Sequence, residues 1–109
     1  MNLEEKRCLA CEGGVKPLTQ DEIKPLLAKL NQWELTANSK KLQKLFNFKN
    51  YYQTIAFVNA VAWLANKENH HPDLQVSYNR CLVEYTTHAV DALTENDFIC
   101  AAKIDALSR

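Results

Sequence analysis

A chain of 109 residues with 47% apolar and 24% charged residues, two glycines and three prolines has the make-up of one folded domain and excludes a disordered chain or a fibrous repeat. Thirteen basic and thirteen acidic residues cancel, and only the short cluster Lys40, Lys41 and Lys44 is basic, so no nucleic-acid footprint is expected. A small or neutral partner fits this charge balance better.

The opening MNLEEKR carries four charged residues in seven and no apolar run, so a secretory leader is not expected. Residues 1–18 read as a flexible amino-terminal tail ahead of a single domain within 1–109. The longest apolar stretch, 55 to 65, is interrupted by Asn59 and falls short of the roughly 18 to 20 residues that a bilayer crossing needs. A cytoplasmic location is therefore expected, with Cys8, Cys11, Cys81 and Cys100 reduced. Cys8 and Cys11 form a C-x-x-C before Gly13-Gly14, the pattern of half a zinc knuckle or a redox pair. No second C-x-x-C completes a tetrahedral set, so thiols in the tail are the plainer expectation.

Thr19-Gln20-Asp21-Glu22 fits a capping box, and Ile23, Leu26, Leu27 and Leu30 recur at helical spacing, predicting a helix over about 20 to 31 with Pro25 near its first turn. The runs at 33 to 37 and 41 to 48, parted by Asn38-Ser39, read as a hairpin. From Asn50 a long helix is expected to carry Tyr51, Ile55, Val58, Ala62 and Ala65 on one stripe. Phe57, Val61 and Leu64 add a second about 100° around the axis. So wide an apolar arc exceeds what one sheet face needs and suggests a further contact with another subunit. Pro72 ends this helix at or before His70-His71. LQVSY and CLVEYTTH, turning at Asn79, read as a second hairpin, with Cys81, Val83, Tyr85 and Thr87 on the core face and His88 ending the strand on the other. Thr94 to Asp97 repeats the capping pattern before a last helix bearing Phe98, Ala101, Ala102, Ile104 and Ala106. The order α-β-β-α-β-β-α predicts an α+β fold: a four-stranded, mainly antiparallel sheet with three helices on one face.

All three histidines fall at element ends, where clefts form. An open zinc site usually draws on H-x-H or H-x-x-x-H, whereas adjacent histidines seldom point at one ion, so no metal is expected. Imidazole titrates near neutrality and can both take and give a proton. With no glycine-rich phosphate loop and no serine elbow, cofactor-free proton transfer is the economical chemistry.

The run His70-His71-Pro72, then Tyr78 after five residues, His88 after nine more and Asp97 after eight more resembles the signature of the pterin-4a-carbinolamine (4a-hydroxytetrahydrobiopterin) dehydratases. The similarity runs from Leu18 onward through LNQW, Phe46, Phe48, Tyr52, Phe57 and LTENDF. It implies that 4a-hydroxytetrahydropterin, left by an aromatic amino acid hydroxylase, loses water to give quinonoid dihydropterin without cofactor or metal. By the same resemblance His70 and His88 form the acid–base pair, His71 binds and polarises the substrate, and Asp97 orients the network. Pro72 and the backbone of Thr87, His88, Ala89 and Val90 line the pterin pocket. Where the family often carries an acid four residues before the first histidine, this chain has Asn66.

The family also includes a dimerisation cofactor for a transcription factor, so a binding module is the main alternative from another class. Symmetry favours a homodimer or homotetramer as the use of the apolar arc. A dehydratase-like role in molybdenum-cofactor pterin metabolism is a third reading.

Overall fold

The computed structural model describes residues 2–9, 15–36 and 38–107. Thr19 opens the first helix, α1 (Gln20–Ala28), through the expected reciprocal cap: its hydroxyl accepts from Glu22 N at 3.2 Å and its own N–H donates to Glu22 Oε1 at 2.9 Å. The helix ends three residues before the pattern suggested. The chain turns through a positive φ at Gln32, which drops Trp33 into the core instead of extending the helix.

Two strands follow, β1 (Glu34–Thr36) and β2 (Lys41–Asn47), antiparallel with Leu35 opposite Leu42. Asn38 and Ser39 between them both take left-handed φ, the backbone that a tight hairpin needs to match strand twist. The Asn50 side chain then accepts from Gln53 N at 2.9 Å and starts α2 (Tyr51–Glu68). A left-handed Asn69 ends it immediately before the histidine pair, as Pro72 led one to expect.

The second hairpin pairs β3 (Asp73–Val76) with β4 (Arg80–Tyr85), and the last helix is α3 (Glu95–Ala106). The sheet is antiparallel throughout, in the order β1-β2-β4-β3, and the order of helices and strands is the predicted α-β-β-α-β-β-α. Register puts Leu42 opposite Tyr85 and Phe46 opposite Cys81 on the inward face. Against that face pack Ile23 of α1, Val61 and Leu64 of α2, and Phe98, Ala101 and Ile104 of α3. Lys44 shares the face yet stays satisfied, its ammonium 2.8 Å from Asp105, which also accepts from Trp33 Nε1 at 3.0 Å.

The wide apolar arc of α2 divides: Phe57, Val61 and Leu64 of one stripe and Val58 and Ala65 of the other pack inward, with Thr54 and Glu68 also buried, whereas Tyr51 and Ala62 are exposed. Two expectations are corrected. β4 stops at Tyr85, so His88 does not end a strand: it opens a 3₁₀ turn, His88–Val90, created when Thr87 N–H bonds back to Ala92 O at 3.1 Å and Asp91 takes a left-handed φ. Finally, residues 2–9 of the supposed tail lie against α3. Leu3 is buried, Lys103 Nζ donates to Glu4 O at 2.8 Å, and Lys6 pairs with Glu95 at 2.9 Å. Leu3 has an apolar helix face to cover, which a charge-rich stretch did not advertise. Cys11, by contrast, lies outside the described residues.

Candidate active site

The site is assembled where three element ends meet: the C-terminus of α2, the loop after β4, and the first turn of α3. His70 follows the αL cap of α2, its N–H bonded to Ala65 O at 3.1 Å, so the helix end fixes its backbone. The residue is buried, and Nε2 lies 2.6 Å from Asp97 Oδ1. A carboxylate only accepts, so Nε2 carries the proton and a neutral ring has its basic lone pair on Nδ1.

Asp97 is fully buried, and a buried carboxylate is tolerable only with its oxygens satisfied. Oδ2 accepts from Thr87 Oγ1 at 2.8 Å and from Thr94 N–H at 2.9 Å. Because the single Thr87 hydroxyl proton goes to Asp97, the 2.8 Å contact between Thr87 and Thr94 hydroxyls has Thr94 donating. One carboxylate thus serves both as helix cap and as the partner of His70, and every hydrogen in the chain of contacts has a definite place.

Tyr85, the last residue of β4, lies parallel to the other side of this unit, its ring 5.5 Å from that of His70 with 9° between planes. Burial first, then the adjacent Cys100 thiol, pushes the phenol far above its usual range, so it stays protonated. Its hydroxyl makes no hydrogen bond to nitrogen or oxygen among the described residues.

The remaining predicted residues are placed differently. His71 and His88 are exposed, as is Ala89, while Pro72 and Val90 are half-buried. Thr87 is turned inward, and its N–H and carbonyl are both engaged within the loop, to Ala92 and to Val90 and Ala92. Tyr78 stands apart, 63% exposed in the β3–β4 turn and stacked on Tyr51 at 6.4 Å. Asn66 is exposed, and the nearby Glu68 faces away from His70's partner toward the amino-terminal segment.

Sequence reasoning did not single out Glu68, Asn96 or Tyr85 as part of this neighbourhood. Burial alone would push the Glu68 carboxyl up, but the Cys8 N–H at 2.9 Å, Lys103 and Arg7 outweigh it and hold it below the usual value. Asn96 clasps the same segment, accepting from Leu9 N–H at 3.0 Å and donating to Leu9 O at 2.8 Å. A glutamate two residues before a histidine pair was the one signal available. Among the described residues no three or more His, Cys, Asp or Glu side chains gather as a metal site.

An antiparallel four-stranded sheet under three helices, with a helix-end histidine locked to an aspartate that caps the next helix, defines a class of small α+β proteins. The chain belongs to the pterin 4 alpha carbinolamine dehydratase family, whose model matches residues 16–107. It is 57% identical over 107 residues to a provisionally named pterin-4-alpha-carbinolamine dehydratase of Nitrosomonas eutropha, covering 97% of this chain and 93% of that one. A provisionally so named protein of Legionella pneumophila is 55% identical, with 97% and 95% covered. Among solved structures, a transcriptional coactivator/pterin dehydratase from Brucella melitensis superposes with a TM-score of 0.82 at 30% identity, covering 86% of this chain and all of that one. A pterin dehydratase-like RuBisCO assembly factor of the alpha-carboxysome superposes with a TM-score of 0.63 at 28% identity over 72% of this chain and 90% of that one.

Proposed function

We propose that this chain removes water from a 4a-hydroxytetrahydropterin to give the quinonoid dihydropterin, renewing the pterin used by an aromatic amino acid hydroxylase. The observation that carries the proposal is the buried 2.6 Å contact between His70 and Asp97, within the segment matched by the family. The reaction breaks the C4a–O bond, forms C4a=N5, protonates the departing oxygen and removes the N5 proton. An imidazole can hold or release each proton near neutral pH. Asp97 fixes the His70 tautomer, leaving Nδ1 as the basic nitrogen. His88 is the second proton carrier, and His71 binds and polarises the ring. With Thr87 engaged internally, pterin contacts on this loop fall to His88, Ala89 and Val90, together with Pro72.

A stopped-flow assay of dehydration on synthetic 4a-hydroxytetrahydropterin tests the reading. The wild-type protein is expected to accelerate the reaction, and the His70→Ala, His88→Ala double variant to lose about 10² to 10⁴ of that acceleration. A wild-type rate equal to that in buffer overturns the proposal.

A second reading, binding of another protein, draws on the exposed Tyr52 and Trp63 of α2, 82% and 67% accessible, and on the coactivator and assembly-factor names borne by the two structural relatives. A homodimer or homotetramer uses the same face and is compatible with dehydration.

A further inference from the structure

Cys8 and Cys100 are 92 positions apart, yet their sulfurs lie 3.4 Å from each other. The approach is imposed by the backbone on both sides of Cys8. Its own N–H donates to Glu68 Oε1 at 2.9 Å, and the next residue, Leu9, exchanges two hydrogen bonds with the Asn96 side chain. Cys100 stands one turn beyond Asp97 on α3, fully buried, whereas Cys8 is half-buried and the more reachable of the two. A disulfide needs its sulfurs at about 2.05 Å, so closure asks for a movement of roughly 1.4 Å. Among the described residues no third ligating side chain completes a metal set around the two thiols.

We propose that Cys8 and Cys100 form a dithiol modification site, which hydrogen peroxide oxidises to an intrachain disulfide that ties the amino-terminal segment to α3. In the first step the Cys8 sulfur attacks one peroxide oxygen and the O–O bond breaks; a sulfenic acid forms, and the departing oxygen takes up the Cys8 thiol proton and leaves as water. In the second, the Cys100 sulfur attacks the Cys8 sulfur, the S–S bond forms, and the sulfenic oxygen leaves with the Cys100 proton as a second water. The thiols lose two electrons and the peroxide gains them. The contact with Cys100, burial and the nearby Glu68 carboxylate keep Cys8 protonated, so the site responds slowly and its product is decided by proximity. Closure would hold residues 2–9 over Glu68 and Asn96, beneath the helix turn that carries Asp97.

The test exposes reduced, full-length protein to hydrogen peroxide, blocks remaining thiols and maps the peptides without reduction. The thiol count is expected to fall from four to two, the intact mass to fall by two hydrogen atoms, and the Cys8 and Cys100 peptides to be joined. The same link is expected in Cys11→Ser and is lost in Cys8→Ser, and dithiothreitol reverses it. A Cys8–Cys11 link in the wild type, oxidation of Cys8 to sulfinic acid with Cys100 still a thiol, or four unreacted thiols would each overturn the proposal. The readout is mass, so its outcome is independent of whether the chain dehydrates a pterin.

Discussion

Asp97 does two jobs with one carboxylate, and the cost of altering it follows from counting its donors. Asp97→Asn keeps the shape but turns one acceptor into an NH₂ group that faces His70, Thr87 or Thr94, each of which now donates. Losing a charge-assisted, buried contact is expected to destabilise the fold by about 1.5 to 3 kcal/mol, read by urea denaturation. It is also expected to slow dehydration by about 10- to 100-fold, or about 1.4 to 2.7 kcal/mol of barrier, because His70 loses its fixed tautomer. Unchanged turnover in a variant with that stability loss would make Asp97 a structural cap only. The two outer histidines differ in setting: His70 is buried at a helix end, and His88 is exposed on a turn. C4a is a stereocentre, so its hydroxyl leaves from either face of the ring, and proton carriers on separate elements suit separate faces. His70→Ala and His88→Ala are expected to slow the two epimers unequally and in opposite order, as followed by stopped flow on each epimer. Equal slowing of both epimers by each variant would leave one acid–base histidine.

Element by element, helix ends do most of the positioning. The αL cap of α2 presents His70, the capping aspartate of α3 receives it, and the turn after β4 brings Thr87 to the other oxygen of that carboxylate. Among the contacts that fasten the segment 2–9 is Glu68, which accepts from Cys8 N–H and pairs with Arg7, and whose carboxyl is held below its ordinary value of 4.5. A carboxyl depressed in the folded state contributes stability that is full above the unfolded pKa and is lost as pH falls through the folded one. Wild-type stability is therefore expected to drop as pH decreases below about 4.5, with part of that dependence absent in Glu68→Gln. Denaturation midpoints of the two proteins between pH 7 and pH 3 check this; parallel curves would remove Glu68 from the acid limb.

For the whole molecule the unresolved contact is the outward side of α2. The helix buries Val61, Leu64 and Ala65 but leaves Tyr51, Tyr52 and Trp63 53% to 82% exposed, three aromatic side chains on one helix that a protein contact would cover. Light scattering on the purified protein is expected to give a dimer or tetramer, and Tyr52→Lys with Trp63→Lys to shift it toward the monomer. A wild-type monomer at all concentrations would direct that surface to a different partner. No helix among the described residues is long and apolar enough to cross a membrane.

Local chemistry was legible in the sequence wherever a few consecutive residues sufficed. The Thr19 box, the Asn38-Ser39 turn, the Asn50 cap and the stop before Pro72 each depend on short-range hydrogen bonds or sterics, and together they determined the order of elements and the fold class. The histidine spacing carried the family resemblance for the same reason. What tertiary structure decided were the contacts between residues far apart in the chain. Two apolar stripes on α2 are equivalent by periodicity, and only tertiary packing decides that Val58, Val61, Leu64 and Ala65 turn inward while Tyr51 and Ala62 stay exposed. No spacing rule joins Thr87 to Asp97, Glu68 to Cys8 or Cys8 to Cys100, since loop lengths set no direction of approach. The burial of His70 beside two exposed histidines likewise arises from three element ends meeting at one place, a property of the packed core.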